Sequence, residues 1–205
     1  MVKMWKKIDI QRFIESVPIH LNDDDLCFYA RELISHGGYT ASDANSLMNN
    51  FKKEASKRGT REWFHKERAV KQLAGELAPA LIDNAMVFSI PTSKTKDHLD
   101  HDLRFEMLFE EVRAIKTVVV VEPIRYSISQ LAAHDEGGTR DPDIIKSNYI
   151  WDGFGGKCPD IVYIVDDVLT TGGHFRACKD FVLEHCPETL ILGYFFCKAV
   201  FAENE

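Results

Sequence analysis

The sequence predicts an α/β protein with an open, mainly parallel sheet and a helical region before it. From residue 84 onward, short apolar runs of strand length alternate with amphipathic segments of helix length. The connections between them are short enough for right-handed crossovers between parallel strands. One run, residues 161–165, is apolar throughout, as in a strand that is covered on both faces.

The first part of the chain is predicted to be helical. Asn22–Asp25 supplies a cap and an acidic first turn for a helix that continues through Leu33. A second helix is expected to begin after Thr40 and to end near Gly59, and a third begins at Thr60 and ends near Pro79. We therefore predict two domains, a helical extension at 1–59 and an α/β domain at 60–205.

Four strands and two helices are predicted after residue 84. The strands are expected at 86–90, 117–121, 161–165 and 190–196, and the helices at 102–114 and 175–184. About forty residues with weak periodicity separate the second strand from the third. A connection of that length is usually functional, or it contains a hairpin.

Residues 161–175 join a strand, two acids and a glycine loop that opens a helix. Asp166 and Asp167 fall at the carboxyl end of the strand, where open α/β sheets bind their ligands. Carboxylates there accept hydrogen bonds from vicinal hydroxyls or help to hold Mg²⁺. Residues 169–173 can turn backbone N–H groups toward a phosphate at the positive end of the helix, and Gly172 is expected to adopt a left-handed conformation there. The segment therefore predicts a site for a sugar phosphate.

Two other interpretations of this segment exist. An apolar strand that ends in two acids also occurs in P-loop ATPases, but no G-x-x-x-x-G-K-[ST] motif occurs in this sequence, which excludes that class. A strand, turn and helix with acids exposed by chance stays open as an alternative.

The segment resembles the phosphoribosyl pyrophosphate (PRPP) motif of the type I phosphoribosyltransferases over residues 166–174. The resemblance implies an open parallel sheet of that family's kind. It also implies that Asp166 and Asp167 hold the ribose 2′- and 3′-hydroxyls and take part in binding Mg²⁺ through PRPP. The residues implied to wrap the 5′-phosphate are Leu169, Thr170, Thr171, Gly172, Gly173 and His174.

The motif departs from the family pattern at two positions. His174 stands where the family usually has Thr or Ser, and an imidazole can still donate a hydrogen bond to phosphate. Thr170 stands where members that use 6-oxopurines carry an acidic residue. This second departure disfavours a hypoxanthine or guanine enzyme.

Two more segments are similar to loops of the same family. The pyrophosphate loop after the first strand corresponds to residues 91–96, and the flexible closing loop corresponds to 127–149. Arg125 and Arg140 resemble two arginines of the ComF-type branch, and Arg104 also matches that branch, whose zinc ribbon is absent here. The resemblance implies catalytic roles for Arg125 and Arg140, and pyrophosphate binding by Thr92, Ser93, Lys94 and Lys96.

Composition limits the class of protein. The chain has 205 residues and a net charge of −7, and the excess of acids lies in its C-terminal part, which argues against broad nucleic-acid binding. No apolar run approaches the roughly eighteen residues of a membrane-spanning helix. The five cysteines form no C-x-x-C pair, so we expect reduced thiols, no zinc and a cytoplasmic location.

Basic residues are concentrated between Phe51 and Lys71. A solvated helix face is favoured over a surface for a protein partner or nucleic acid. Members of the family that the motif resembles bind the acceptor base under a hood, a segment that lies outside the sheet. The N-terminal helices are expected to provide either this hood or a surface for a homodimer or another partner. The basic residues are Lys52, Lys53, Lys57, Arg58, Arg61, Lys66, Arg68 and Lys71.

The leading functional hypothesis is an enzyme that transfers phosphoribose from PRPP to a nitrogenous acceptor and releases pyrophosphate. The alternatives are a non-catalytic sensor of PRPP or of a nucleotide 5′-monophosphate, and a defence-type effector that uses the same fold to regulate a partner. The sequence does not identify the acceptor.

Overall fold

The computed structural model describes residues 4–10, 19–94, 96, 98, 101–127 and 139–201. In chain order the elements are β1 (Lys6–Lys7), β2 (Leu26–Ile34), α1 (Asp43–Phe51), α2 (Arg61–Leu77), β3 (Ala85–Ser89), α3 (Arg104–Ile115), β4 (Val118–Val120), β5 (Ile124–Tyr126), α4 (Pro142–Ser147), β6 (Tyr149–Trp151), β7 (Ile161–Leu169), α5 (Gly173–His185) and β8 (Leu190–Val200). Short 3₁₀ turns lie at Ala55–Lys57 and Ala78–Ala80.

Within these ranges, six strands form one sheet in the order β1-β2-β8-β7-β3-β4. All neighbouring strands from β2 to β4 run parallel, and β1 pairs antiparallel with β2 at one edge. Strands β5 and β6 form a separate antiparallel pair. The predicted α/β class with a mainly parallel sheet is confirmed.

The sheet separates two hydrophobic layers. On one face, α5 and the β5–β6 pair cover Val162 and Ile164 of β7. On the other face, α1, α2 and α3 cover Tyr163 and Val165. Because side chains alternate along a strand, β7 supplies apolar residues to both layers, as the unbroken apolar run predicted.

The connections leave β3 and β7 in opposite directions along the sheet. Strand β3 leads through α3 to the edge strand β4, whereas β7 leads through α5 to β8 on its other side. The helices α3 and α5 lie on opposite faces. The neighbouring strands β3 and β7 therefore form a topological switch point, where a crevice opens at their carboxyl ends.

Most elements after residue 60 match the prediction. The four expected strands appear as β3, β4, β7 and β8, and the expected helices appear as α2, α3 and α5. The long connection between the second and third predicted strands contains the β5–β6 pair and α4. Residues 128–138, about half of the predicted closing loop, lie outside the described residues.

The helix predicted after Asn22–Asp25 is wrong, because residues 26–34 form strand β2. Eight residue pairs align β2 with β8 in parallel, from Leu26 opposite Leu192 to Ile34 opposite Val200. A nearly continuous apolar run is compatible with either a buried strand or a helix, and pairing with β8 decides between them. The predicted helical extension at 1–59 is therefore wrong for this segment, which belongs to the sheet. The second predicted helix is also shorter than expected and ends at Phe51.

The expectation of reduced thiols is wrong for two of the five cysteines. Cys158 and Cys186 form a disulfide whose Cα atoms lie 5.5 Å apart and which links the loop before β7 to the end of α5. Cys27, Cys178 and Cys197 are free and buried. The two bonded residues are separated by 28 positions in sequence, so no short spacing motif predicts the disulfide.

Across the described part of the chain, every helix is too short or too polar to cross a membrane.

Candidate functional site

The switch point brings the predicted acid pair beside the end of β3. Ser89, the last residue of β3, lies opposite Val165, and the N–H of Ile90 donates to the Val165 carbonyl at 3.1 Å. Strand β7 then continues to Leu169, and over this stretch β8 is its paired strand among the described residues. The carboxyl end of β7 therefore projects beyond β3, and the acid pair lies on this projecting part.

Asp166 and Asp167 face opposite sides of the sheet. The sequence predicted that the strand ends at Val165, but β7 includes both acids, and successive side chains of a strand alternate. Burial raises the pKa of Cys178 in the α5 layer, and the nearby Asp166 carboxylate raises it further. Asp167 instead contacts two cations of the opposite layer.

Asp167 is bound by a lysine and an arginine. Its Oδ2 lies 2.8 Å from Nη2 of Arg104, and its Oδ1 lies 3.2 Å from Nζ of Lys52. Burial alone would raise the pKa of Asp167, but the charges of Arg104 and Lys52 lower it below its ordinary value. Asp167 is therefore ionised at neutral pH.

Asp166 has the opposite electrostatic environment. Burial and the charge of Asp167 raise the pKa of Asp166 to about 7, and Arg104 offsets only part of this rise. Its Oδ1 accepts a hydrogen bond from the backbone N–H of Asp167 at 2.8 Å. Asp166 is therefore the one acid of the pair that gains and loses a proton near neutral pH.

A buried lysine extends the charged contacts of Asp167. Lys66 is 1% exposed, and its Nζ donates to the carbonyls of Phe51 and Lys53 at 2.8 and 2.7 Å. The same Nζ lies 3.5 Å from Asp102, which accepts a 2.8 Å hydrogen bond from Arg104. The contact of Lys52 with Asp167, and the contacts that link Lys66 through Asp102 to Arg104, were missed in the sequence, since no local motif connects segments this far apart.

The glycine loop has the backbone conformation that was predicted for it. Gly172 has a φ of 80°, in the left-handed region, and caps α5, whose first residue is Gly173. Thr170 is exposed and Leu169 is buried as the last residue of β7. The loop therefore turns directly from the strand into the helix N-terminus.

Two other segments pack closely against this loop. A Cβ on Gly172 would stand 2.7 Å from a methyl of Leu21, and a Cβ on Gly173 would stand 2.1 Å from the carbonyl oxygen of Arg140. The backbone N–H of His20 donates to the Thr171 carbonyl at 2.8 Å. Close approach of the Arg140 backbone thus requires glycine at position 173, whereas the left-handed φ and the Leu21 side chain favour glycine at position 172.

Arg140 and His174 lie at the same end of β7. Burial lowers the pKa of His174, the charge of Asp167 opposes this effect, and the charge of Arg140 adds to it. The imidazole is therefore neutral at neutral pH. The structure thus brings Asp167, the glycine loop, His174 and Arg140 into one group.

A second group of predicted residues lines a cavity of about 980 Å³ at the carboxyl ends of β3 and β4. The cavity lies between α3 and the β5–β6 pair, with Phe105, Phe109 and Tyr126 among its walls. Arg125 pairs with Asp152 at 2.8 Å, and Lys96 pairs with Glu122. The predicted residues that line it are Thr92, Lys94, Lys96 and Arg125.

The two groups are adjacent but distinct. Ser89 connects them, because it lines the cavity and lies opposite Val165. Among the described residues, none from Asp166 to His174 lines the cavity, and neither do Ser93 and Arg140.

Asp166 is the better candidate for contact with Mg²⁺. Asp167 is already neutralised by Arg104 and Lys52, whereas no ion pair joins Asp166 to another of the described residues. In the described part of the chain, no three His, Cys, Asp or Glu side chains cluster as a metal cage would. Mg²⁺ often binds one or two carboxylates together with substrate phosphates, so Asp166 fits a metal that arrives with its ligand.

No protein-family model matches the chain, and no curated protein is significantly similar to it. Among solved structures, the chain is similar to a hypoxanthine phosphoribosyltransferase from Staphylococcus aureus, with 12% sequence identity and a TM-score of 0.39. The match covers 67% of this chain and 73% of that one. None of these comparisons supports the ComF-type branch, and the likeness is too weak to carry a functional conclusion.

Proposed function

We propose that this protein binds PRPP at the switch point and transfers phosphoribose to a nitrogenous acceptor, with release of pyrophosphate. One observation carries the proposal. An acid pair and a glycine loop with a left-handed Gly172 lie at the carboxyl end of β7, where β3 and β7 form a ligand-binding crevice.

The two groups of residues suit the two ends of PRPP. The N–H groups at the start of α5 and the neutral His174 suit the 5′-phosphate. Asp166 suits a ribose hydroxyl, as a carboxylate that accepts its hydrogen bond. Lys94 and Arg125 in the adjacent cavity suit the pyrophosphate.

The reaction breaks the bond between the ribose anomeric carbon and the pyrophosphate oxygen, and the acceptor nitrogen forms a new bond to that carbon. Positive charge develops on the sugar while pyrophosphate leaves with the electron pair. Fixed cations at the leaving group and a carboxylate at the ribose stabilise this separation of charge. Mg²⁺ bound through PRPP and Asp166 would supply further charge neutralisation when present.

A second candidate function, a non-catalytic sensor of PRPP or of a nucleotide 5′-monophosphate, is favoured by one specific observation. Asp166 and Asp167 face opposite sides of the sheet, and Asp167 is occupied by Arg104 and Lys52. Only one acid of the pair is then available to the ribose. Such a site suits binding, and it holds the ribose less firmly than two carboxylates on one face.

The test measures the affinity for PRPP with Mg²⁺ by calorimetry, and then pyrophosphate release with a panel of nucleobases. Binding with release supports the transferase, binding without release supports the sensor, and no binding contradicts both. Asp166→Asn should weaken PRPP binding about tenfold. Asp160→Asn, an exposed acid at the other end of β7, is the matched control and should bind as the unmodified protein does.

A further inference from the structure

Five charged side chains alternate in sign along a path that ends at the carboxyl end of β7. They are Lys66, Asp102, Arg104, Asp167 and Lys52, and successive members lie 3.5, 2.8, 2.8 and 3.2 Å apart. We name this set the charge ladder. With every member ionised, its three cations and two carboxylates leave one positive charge uncompensated.

The uncompensated charge lies at the exposed end. The Lys52 side chain is 44% exposed, whereas Lys66 at the other end is 1% exposed. Asp167 is already paired with Arg104, so Lys52 is not needed to neutralise it. An ammonium has three donors, and Asp167 occupies one. Lys52 is thus a half-exposed cation at the carboxyl end of β7, and in the described part of the chain two of its three donors have no acceptor.

The backbone around Lys52 is held in place by the buried Lys66. Nζ of Lys66 donates to the carbonyls of both residues that flank Lys52, Phe51 and Lys53. Burial lowers the pKa of Lys66, and Asp102 opposes that effect. Burying an amine costs free energy unless its hydrogen bonds are made. Here those hydrogen bonds hold the backbone of residues 51–53 in place. Lys66 therefore fixes the backbone position of Lys52 before any ligand binds.

We propose that Lys52 binds a phosphate group of the ligand and that Lys66 is the positioning residue for it. This inference rests on the proposed function and adds a residue from the N-terminal region, outside the phosphoribosyl motif. A ligand phosphate on Lys52 extends the alternation of sign along the charge ladder, because it adds an anion beside the exposed cation at its end. The phosphate is either that of ribose 5-phosphate or that of the pyrophosphate group.

The experiment measures the affinities of ribose 5-phosphate, inorganic pyrophosphate and PRPP by calorimetry at low and high salt. Lys52→Gln should weaken PRPP binding about tenfold, since it removes one charge-assisted contact, and should flatten the salt dependence. Lys52→Arg should restore most of the affinity. Lys71→Gln removes an exposed charge from the same basic tract, on α2, and should change nothing.

The two phosphate sources give different results. A loss confined to ribose 5-phosphate places Lys52 at the 5′-phosphate, and a loss confined to pyrophosphate places it at the leaving group. Lys66→Met should reduce the same affinity and the same salt dependence, which loss of stability alone does not do. Normal PRPP binding by folded Lys52→Gln overturns this inference and leaves the proposed function standing. No PRPP binding by the unmodified protein overturns both.

Discussion

The two faces of the sheet shift the pKa values of two neighbouring carboxyl groups in opposite directions. Asp167 faces the layer of α1, α2 and α3, where Arg104 and Lys52 lower its pKa. Asp166 faces the layer of α5 and the β5–β6 pair, where burial and the charge of Asp167 raise its pKa to about 7. One acid is therefore part of a structural ion-pair network, and the other titrates near neutral pH at the ligand crevice.

The largest expected effect comes from breaking the network at Asp167. Asp167→Asn leaves Arg104 and Lys52 without their shared carboxylate, so the free energy of unfolding at pH 7 should fall by about 3 kcal/mol. Urea unfolding measures it. Asp166→Asn is the matched control and should not destabilise at this pH. Equal losses in both variants would mean that the two faces do not differ.

The pH dependence should sharpen the contrast. The folded pKa of Asp166, about 7, is above its ordinary value of 3.8, so its contribution to stability is present at low pH and is lost as pH rises through 7. The free energy of unfolding of Asp166→Asn, relative to that of the unmodified protein, should therefore rise by about 2 kcal/mol between pH 4 and pH 8. This figure is reduced because Asp166 and Asp167 titrate as a coupled pair. Asp167 has a lowered pKa, so its contribution is present above 3.8 and disappears in acid. A pH-independent difference for Asp166→Asn would contradict the assignment.

A smaller effect is expected at the glycine loop, which packs against the Asp166 layer through Leu21. Gly172→Ala forces a side chain into a left-handed conformation and toward a Leu21 methyl, and it should cost about 1 to 2 kcal/mol. Thermal unfolding measures the loss. Gly38→Ala has open space around its new methyl and no positive φ, so it serves as the control. Similar melting temperatures for both variants would show that the loop tolerates a Cβ.

The smallest effect is expected for an exposed ion pair. Arg125 and Asp152 lie 2.8 Å apart, but their side chains are 56% and 42% exposed. Solvent screens such pairs, so Arg125→Gln should change the unfolding free energy by less than about 1 kcal/mol. Its effect should appear instead in pyrophosphate affinity. A loss as large as that of Asp167→Asn would show that exposure does not separate the two kinds of ion pair.

Local patterns in the sequence determined much of this molecule. The apolar runs and helical periodicities after residue 60 located β3, β4, β7, β8, α2, α3 and α5, because those patterns act over a few residues. The Gly172-Gly173 pair indicated a left-handed turn into a helix, since glycine adopts that conformation without steric cost. The sequence alone therefore predicted the order of strand, acid pair, glycine loop and helix along residues 161–175.

Tertiary structure alone decided the rest. Residues 26–34 are a strand because β8 offers them a parallel partner more than 150 positions away, which no local pattern conveys. Pairing with β8 also extends β7 through Asp166 and Asp167, and the alternation of the strand then sends them to opposite faces. The partners of Asp167 come from two distant helical segments, and the disulfide joins residues with no motif between them. Motif order is a property of neighbours in sequence, whereas the charge state of each acid depends on which segments pack around it.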